Sequence, residues 1–287
     1  MELMRMPSKA LLFGGLLGTL VFGGCKPPLP PGIKFVRPVW TAVSLSPSAA
    51  ELLSITSVRL VGRSASDNYP KSVIGVPVVG NIKPDYEQIA SIKPNVIVYD
   101  PSIYNSTDIE KLKALNIPLA TIEGDTVEAY IQSVFKLGQA TQSETALMDY
   151  IERLNKEVSV CRSDPIVPAP KTAIVMPSRN SNPMVAGTKS YYADLVRIAG
   201  GDPVGPPSNK FEPINAEALL ALNPDAIVVP ADKGDYSALT NDPRFAQLKA
   251  VKTGKILGVD QDYILRRGER ADDALKHLHD AFIKLFK

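Results

Sequence analysis

Apolar runs alternate with helix-like patterns along most of the chain. The runs Trp40–Leu45, Val58–Gly62, Val96–Val98 and Ile117–Ile122 are rich in β-branched and other apolar residues, as buried strands of a parallel sheet are. Segments with apolar residues at helical spacing lie between them. This βα alternation predicts a doubly wound α/β lobe over residues 39–142.

A long amphipathic helix is predicted after this first lobe. Apolar residues recur every three or four positions across residues 143–162, at Leu147, Ile151, Leu154 and Val158. A helix of this length can cross between two lobes. Further strand and helix patterns follow, which predict a second α/β lobe over residues 163–287. The expected fold class is therefore α/β, with two doubly wound lobes joined by one long rigid helix.

One motif occurs twice, once in each predicted lobe. Residues 85–98 read DYEQIASIKPNVIV, and residues 215–228 read NAEALLALNPDAIV. Each copy has an N-cap residue, a short apolar helix face, a proline that ends the helix and a strand-like run. Glu87 and Glu217 lie at equivalent helix starts, where a carboxylate contributes about 0.3–1 kcal/mol against the helix dipole. The repeat indicates that the two lobes are similar.

The overall composition is that of an ordinary globular protein. Of 287 residues, 45% are hydrophobic and 22% are charged, and the net charge is +2. No long basic run accompanies this balance, so the sequence gives no electrostatic support to nucleic-acid binding.

The first 38 residues differ from the rest of the chain. Arg5 and Lys9 precede an apolar stretch that is too short for a comfortable membrane span and ends at Cys25. This layout resembles a bacterial lipoprotein signal peptide over residues 1–25, which is cut before a lipidated Cys25. Residues 26–38 are proline-rich and predict a semi-rigid tether. An uncleaved anchor is the alternative, and either way we expect an exported protein, lipid-anchored or otherwise held at a cell membrane or in the periplasm.

Neither a disulfide in the body nor a resident metal site is expected. Cys161 is the only cysteine besides Cys25, so no internal bridge can form in the body. His277 and His279 lie two apart on a predicted helix and point in different directions, which does not suit a shared metal. We therefore expect no metal site and no cofactor of the protein's own.

The chain also contains three short motifs of serine β-lactamases. They are SVFK at 133–136, SDN at 66–68 and KTG at 252–254. SDN comes first here, whereas SxxK comes first in those enzymes, and Ser133 falls inside a predicted helix. No nucleophile has a credible partner base, so we predict a protein that is not an enzyme.

Five segments, in this order, resemble the solute-binding proteins of ABC importers for vitamin B12, ferric siderophores and haem. They are VSLSPSAAELL, VVG at 78–80, YEQIASIKPNVIV, GTKSYYADLVRIAGG and AEALLALNPDAIVV. The resemblance implies a ligand cleft between the two lobes. It also implies a monomer that captures a metal chelate, cobalamin or a ferric siderophore, and delivers it to an ABC permease and its ATPase.

The same resemblance gives the repeated glutamates a role. In that family, one surface glutamate on each lobe docks to arginines of the permease, and Glu87 and Glu217 match these positions. A sensor or adhesion lipoprotein of the same fold is the alternative, since it would bind a ligand without a permease.

A set of ligand-binding residues is also implied. Asp262 and Arg266 match an aspartate and an arginine on the last loop of the B12 binder of this family. Tyr99 and Phe211 match two positions of its aromatic wall, and Met184 replaces a third aromatic residue with an apolar one. At two more positions the aromatic residue is not kept, and Ser66 and Asn81 stand there. Pro47 and Tyr263 lie on loops of the same expected cleft and complete the set.

Besides a corrinoid, two ligands remain open: an anionic ferric siderophore and haem. An anionic siderophore would suit bidentate hydrogen bonds from Arg179, Arg266 and Arg267. Haem binders of the family supply an axial Tyr, His or Met, for which the candidates are Tyr69, Tyr104 and Met184.

Overall fold

The structure, a computed structural model, describes residues 39–178 and 181–287. The predicted signal peptide with Cys25, the predicted tether and Arg179 lie outside the described residues. Across the described ranges, no helix is both long and apolar enough to span a membrane.

The first sheet consists of five parallel strands. In chain order they are β1 (Thr41–Ser44), β2 (Arg59–Ser64), β3 (Val78–Gly80), β4 (Val96–Tyr99) and β5 (Leu119–Thr121). Their spatial order is β3-β2-β1-β4-β5, so the winding direction reverses between β1 and β4. Every residue of β4 is buried, which confirms the prediction of a strand covered on both faces.

Four helices belong to this lobe. They are α1 (Pro47–Ser54), α2 (Tyr86–Ile92), α3 (Ser106–Ala114) and α4 (Val127–Thr141), and a 3₁₀ turn spans Lys71–Gly75. Each of the four helices begins after a residue whose side-chain oxygen accepts a backbone N–H of the first turn; these caps are Ser46, Asp85, Asn105 and Thr126. A polar cap before each apolar stretch therefore sets where the helix starts.

The predicted linking helix is α5 (Glu144–Ser163). Its buried stripe packs against α4 and against α6 (Tyr191–Ala199) and α11 (Ala271–Phe286) in the second half of the chain. The buried residues around α5 belong to one hydrophobic cluster that also contains Val96 of β4 and Val228 of the second sheet. Because this core is continuous, α5 joins the two lobes by packing as well as by chain connection.

The second sheet is partly parallel and partly antiparallel. Its strands are β6 (Lys171–Met176), β7 (Met184–Ala186), β8 (Asp202–Pro203), β9 (Phe211–Pro213), β10 (Ala226–Ala231) and β11 (Ile256–Asp260). Strands β8, β10 and β11 are parallel to the strands they pair with, whereas β7 and β9 are added antiparallel. The apolar pattern does not predict β7 and β9, because strands of three residues are too short to show a period.

Helices α7 (Ala216–Leu222), α8 (Ser237–Thr240), α9 (Lys249–Lys252) and α10 (Gln261–Ile264) complete the second lobe.

The doubled motif forms the same structure in both lobes. Asp85 and Asn215 cap α2 and α7, and Lys93 and Asn223 end them in the left-handed conformation, with φ of 51° and 44°. A buried strand follows each helix, β4 or β10. The predicted fold class of two α/β lobes is confirmed.

Candidate ligand-binding cleft

The carboxyl edges of the two sheets face each other. Asn209 Nδ2, in the loop before β9, donates to Asp125 Oδ2 after β5 at 3.0 Å. Arg267 Nη2, in the loop between α10 and α11, donates to Asp100 Oδ2 after β4 at 2.5 Å. Ligands of open α/β sheets bind outside the carboxyl ends of the strands. The candidate cleft therefore lies between these loops.

Arg267 connects the second lobe to three parts of the first. Its backbone N–H donates to Ser48 Oγ at 3.1 Å, and its Nη1 donates to the Gly124 carbonyl at 3.1 Å. The side chains of Arg267 and Asp100 are only 12% and 8% exposed. Burial by itself lowers the pKa of Arg267, but the Asp100 carboxylate, together with Tyr192 and Tyr191, outweighs burial and the pKa is raised. The guanidinium therefore stays charged and paired.

Glu51, on α1, meets two further arginines. Its carboxylate is completely buried, and Oε1 accepts from Arg266 Nη1 at 3.2 Å and from Arg270 Nη2 at 2.5 Å. Arg266 also pairs with Asp262 Oδ1 at 2.7 Å and donates to Asn68 Oδ1 at 2.8 Å. Two carboxylates thus balance two guanidinium groups.

Aromatic rings from both lobes enclose Arg270. Its guanidinium carbon lies 4.0 Å from the ring centre of Tyr69 and 4.7 Å from that of Tyr263. The positive charge is attracted to the faces of both rings. Tyr263 is 37% exposed and also borders a cavity of about 560 Å³ that it shares with residues of α11. The Tyr263 ring thus contacts Arg270 while part of the side chain stays exposed.

Gly268 passes between Glu51 and two tyrosines. Its carbonyl lies 2.8 Å from the hydroxyls of Tyr130 and Tyr150, and these hydroxyls are 2.9 Å apart. The two hydroxyls share two protons among these three oxygen–oxygen contacts, so at any moment only two of the contacts can be hydrogen bonds. A Cβ at position 268 would come 2.2 Å from Glu51 Oε2, so a side chain here would require Glu51 to move.

Asp262 and Arg266 lie together, but the Asp262 side chain is more exposed to a ligand than the Arg266 side chain. The side chain of Arg266 is 12% exposed and that of Asp262 is 35% exposed. Arg266 directs donors to Glu51, Asp262 and Asn68, and Arg267 is engaged by Asp100. Two of the three arginines considered for an anionic siderophore therefore already bind protein groups.

The predicted aromatic wall is unevenly exposed. Tyr99 is 5% exposed and packs edge to face on Tyr104, with ring centres 6.4 Å apart, in the core of the first lobe. Phe211 is half-buried, with its ring centre 5.1 Å from that of Tyr192. Met184 is half-buried on β7, beside the strand that carries Phe211. Phe211 and Met184 thus share one surface of the second lobe, while Tyr99 presents little surface.

The remaining predicted positions lie at the edge of the first sheet. Ser66 and Asn81 are exposed in the loops after β2 and β3, and Pro47 is half-buried at the start of α1. These three residues follow three different strands, so the structure places them along one edge.

Protein groups also engage two of the three haem-ligand candidates. The Tyr104 hydroxyl donates to the Leu45 carbonyl at 2.7 Å, and burial raises the pKa of this hydroxyl. The ring of Tyr69 stacks on Arg270, and burial is the main cause that raises its pKa as well. The raised pKa values disfavour the phenolate form of both tyrosines.

Glu87 and Glu217 are exposed in the first turns of α2 and α7. Because α2–β4 and α7–β10 are equivalent, the two carboxylates occupy matching positions of the two lobes. This placement is compatible with docking and with helix-start electrostatics alike.

Side chains considered for chemistry have structural surroundings. Cys161 is buried, and burial raises the pKa of its thiol to about 12. His279 Nδ1 lies 2.9 Å from the Ala199 carbonyl, and Ser133 Oγ donates to the Thr121 carbonyl at 2.9 Å. In the part of the chain that the structure describes, no group of three or more His, Cys, Asp or Glu is arranged to hold a metal.

Comparison with known proteins identifies the class. The chain is 24% identical over 247 residues to the uncharacterized ABC transporter substrate-binding lipoprotein YvrC of Bacillus subtilis, covering 83% of this chain and 78% of the relative. It is 26% identical over 261 residues to the high-affinity heme uptake system protein IsdE of Staphylococcus aureus, covering 86% and 87%. The periplasmic vitamin B12 binding protein BtuF of Vibrio cholerae has the same fold, with a TM-score of 0.71, 19% identity and coverage of 86% and 98%.

Two facing α/β lobes around a cleft define a two-lobed binding protein. The sequence profile of the periplasmic binding protein family matches residues 43–263, and the chain belongs to that family. The resemblance drawn from the five sequence segments is thereby confirmed.

The contact network around Glu51 was not predicted from the sequence. Glu51, Asp100 and Arg270 were absent from the expected set, although they carry the ion pairs between the lobes. One signal was available, because Glu51 interrupts the apolar face of SAAELL and the structure buries it. Its partner Arg266 is 215 residues away in sequence, so no local pattern connects the two.

Replacing Asp100 with Asn should destabilise the fold, because it removes the charge that balances the buried Arg267. We expect Asp100→Asn to lose about 3–5 kcal/mol of unfolding free energy, measured by urea titration with circular dichroism. Asp280→Asn, which breaks an exposed pair with Lys276, is the control and should leave the transition unchanged. Equal midpoints for the two variants would contradict the prediction.

Proposed function

We propose that this protein is the extracytoplasmic substrate-binding component of an ABC importer, and that it captures a pre-formed metal chelate. The observation that carries the proposal is that loops at the carboxyl edges of two α/β sheets face each other, in a chain of the periplasmic binding protein family. The relatives support the transport role, since YvrC is an ABC transporter substrate-binding lipoprotein and IsdE belongs to a heme uptake system.

Cobalamin and haem are the leading ligands of this cleft. The half-exposed carboxylate of Asp262 and the apolar surface of Phe211 and Met184 support a corrinoid, whose amide-rich rim and flat ring need polar and apolar contacts. The similarity to IsdE supports haem. A strongly anionic siderophore is supported less, because Arg266 and Arg267 are engaged by Glu51, Asp262 and Asp100.

Delivery of the chelate would use Glu87 and Glu217 as permease-docking groups. The permease and its ATPase are the expected partners, and two equivalent carboxylates suit a permease that offers arginines to both lobes. Such pairs act mainly through charge complementarity, which fixes orientation more than affinity. A sensor of the same fold would not need them.

Lipidation at Cys25 would keep the binding protein close to its permease, with residues 26–38 as the tether. A lipid anchor confines diffusion to the membrane surface and raises the local concentration of the protein there.

The first test titrates the full chain, purified in detergent, with cyanocobalamin, hemin and ferrichrome in separate calorimetric experiments. We expect one-to-one, sub-micromolar binding of one tetrapyrrole, about −8 kcal/mol or stronger. Ferrichrome is a compact, uncharged chelate and serves as the matched comparison. Failure of all three to bind would contradict the proposed metal-chelate function.

The docking role predicts that Glu87→Ala/Glu217→Ala abolishes uptake while ligand affinity is unchanged, because the two carboxylates lie on the outer helix starts. Uptake would be measured in cells that depend on this importer. Glu128→Ala is the control, since Glu128 is also exposed in the first turn of a helix but lies outside the repeat. Normal uptake in the double variant would refute the docking role of the two glutamates.

The anchoring role predicts that cells incorporate labelled fatty acid into this protein and that Cys25→Ser abolishes the labelling. Cys161→Ser is the control and should keep it, because the Cys161 thiol is buried and its pKa is raised to about 12. Labelling that persists in Cys25→Ser would refute lipidation at Cys25.

A further inference from the structure

Glu51 lies directly behind the wall of the cleft. Its side chain has no exposed surface, so it cannot touch a ligand. It nevertheless contacts both arginines that hold Asp262, which is itself 35% exposed. A buried group of the first lobe thus reaches a candidate ligand-binding residue of the second lobe.

The first connection runs through the Asp262 side chain. Arg266 donates Nη1 to Glu51 Oε1 at 3.2 Å and pairs Nη2 with Asp262 Oδ1 at 2.7 Å. A guanidinium is planar, so the positions of its two terminal nitrogens are coupled. Fixing one nitrogen on Glu51 therefore restricts where the other holds the carboxylate of Asp262.

The second connection runs through the Asp262 backbone. Arg270 donates Nε to Glu51 Oε2 at 3.2 Å and Nη2 to Glu51 Oε1 at 2.5 Å, which makes the contact bidentate. The same Nη2 donates to the Asp262 carbonyl at 3.2 Å. Side chain and backbone of Asp262 are thus held by two different arginines, both oriented by one carboxylate.

Glu51 joins the two arginines to each other, because each of them pairs with its carboxylate. Glu51 is the first-lobe carboxylate that Arg266 and Arg270 share, and Asn68 and the Tyr69 ring contribute only a neutral oxygen and a ring face. An uncharged residue at position 51 would leave part of the guanidinium charge without a buried counter-charge.

We propose that Glu51 is a positioning residue of the binding cleft, which acts through Arg266 and Arg270 to fix Asp262 for ligand contact. The proposal rests on the proposed function, because it takes Asp262 to be a ligand-binding residue. Glu51 itself makes no ligand contact.

The test compares Glu51→Gln and Arg270→Gln in the full chain with Asp164→Asn, which removes a carboxylate from an exposed ion pair. We expect the two Gln variants to bind the tetrapyrrole found by calorimetry about tenfold more weakly, as expected for losing a hydrogen bond between charged groups. Arg270→Gln keeps the contact of Arg266 with Glu51, so it serves if Glu51→Gln does not fold. The control should bind as the unaltered protein does.

A double-mutant cycle with Asp262→Asn separates positioning from a general loss of structure. If Glu51 acts through Asp262, Asp262→Asn weakens binding in the unaltered protein but has a much smaller effect in the Glu51→Gln or Arg270→Gln background. Additive losses of affinity would overturn the proposal, since they would mean that Glu51 and Asp262 act independently.

Hydrogen exchange measured by mass spectrometry tests the same proposal without a ligand. In Glu51→Gln, exchange should increase in peptides that cover residues 261–270 and remain unchanged in α2 and α7, whose buried Ile89 and Leu219 belong to other hydrophobic clusters than the buried leucines of α1. Unchanged exchange at 261–270, or an equal increase everywhere, would overturn positioning. Should cyanocobalamin, hemin and ferrichrome all fail to bind, the proposed function would fail while this readout still decides whether Glu51 orders the Asp262 loop.

Discussion

The buried carboxylate of Glu51 has its counter-charges in the other lobe, and the contact between the lobes depends on this neutralisation. Glu51 of the first lobe is completely buried, and its counter-charges, Arg266 and Arg270, come from the second lobe. Breaking such a buried pair leaves an uncompensated charge at a cost of about 3–5 kcal/mol. The loop after α10 must therefore lie against α1, and Arg267 with Asp100 adds a second buried pair beside the first.

Two kinds of contact then hold the lobes, and they contribute differently. The apolar core around α5 is non-directional, so it favours contact between the lobes over a range of angles. Hydrogen bonds from guanidinium groups are directional and specify one angle. Together they favour a cleft whose shape exists before the ligand arrives, as is usual for small-molecule sites.

The elements themselves were largely predictable because their signals are local. Polar caps before apolar stretches located the helices, and the doubled motif located two equivalent helix-turn-strand units. Strands β7 and β9 were not predictable, since three residues carry too little pattern and their antiparallel pairing is decided by β6. Of the candidate site, Asp262 and Arg266 were recognised by resemblance. Their partner Glu51 was not.

The sequence by itself determined the α/β class, the repeat, the linking helix and the family, because caps, apolar runs and short motifs act over neighbouring residues. Only the tertiary structure decided which charges are free for a ligand. Arg266 and Arg267 read as available cations in the sequence, yet Glu51 and Asp100 engage them in the fold. The physical reason is that a charge's role depends on its neighbours in space, and for Arg266 the deciding neighbour lies 215 residues away along the chain.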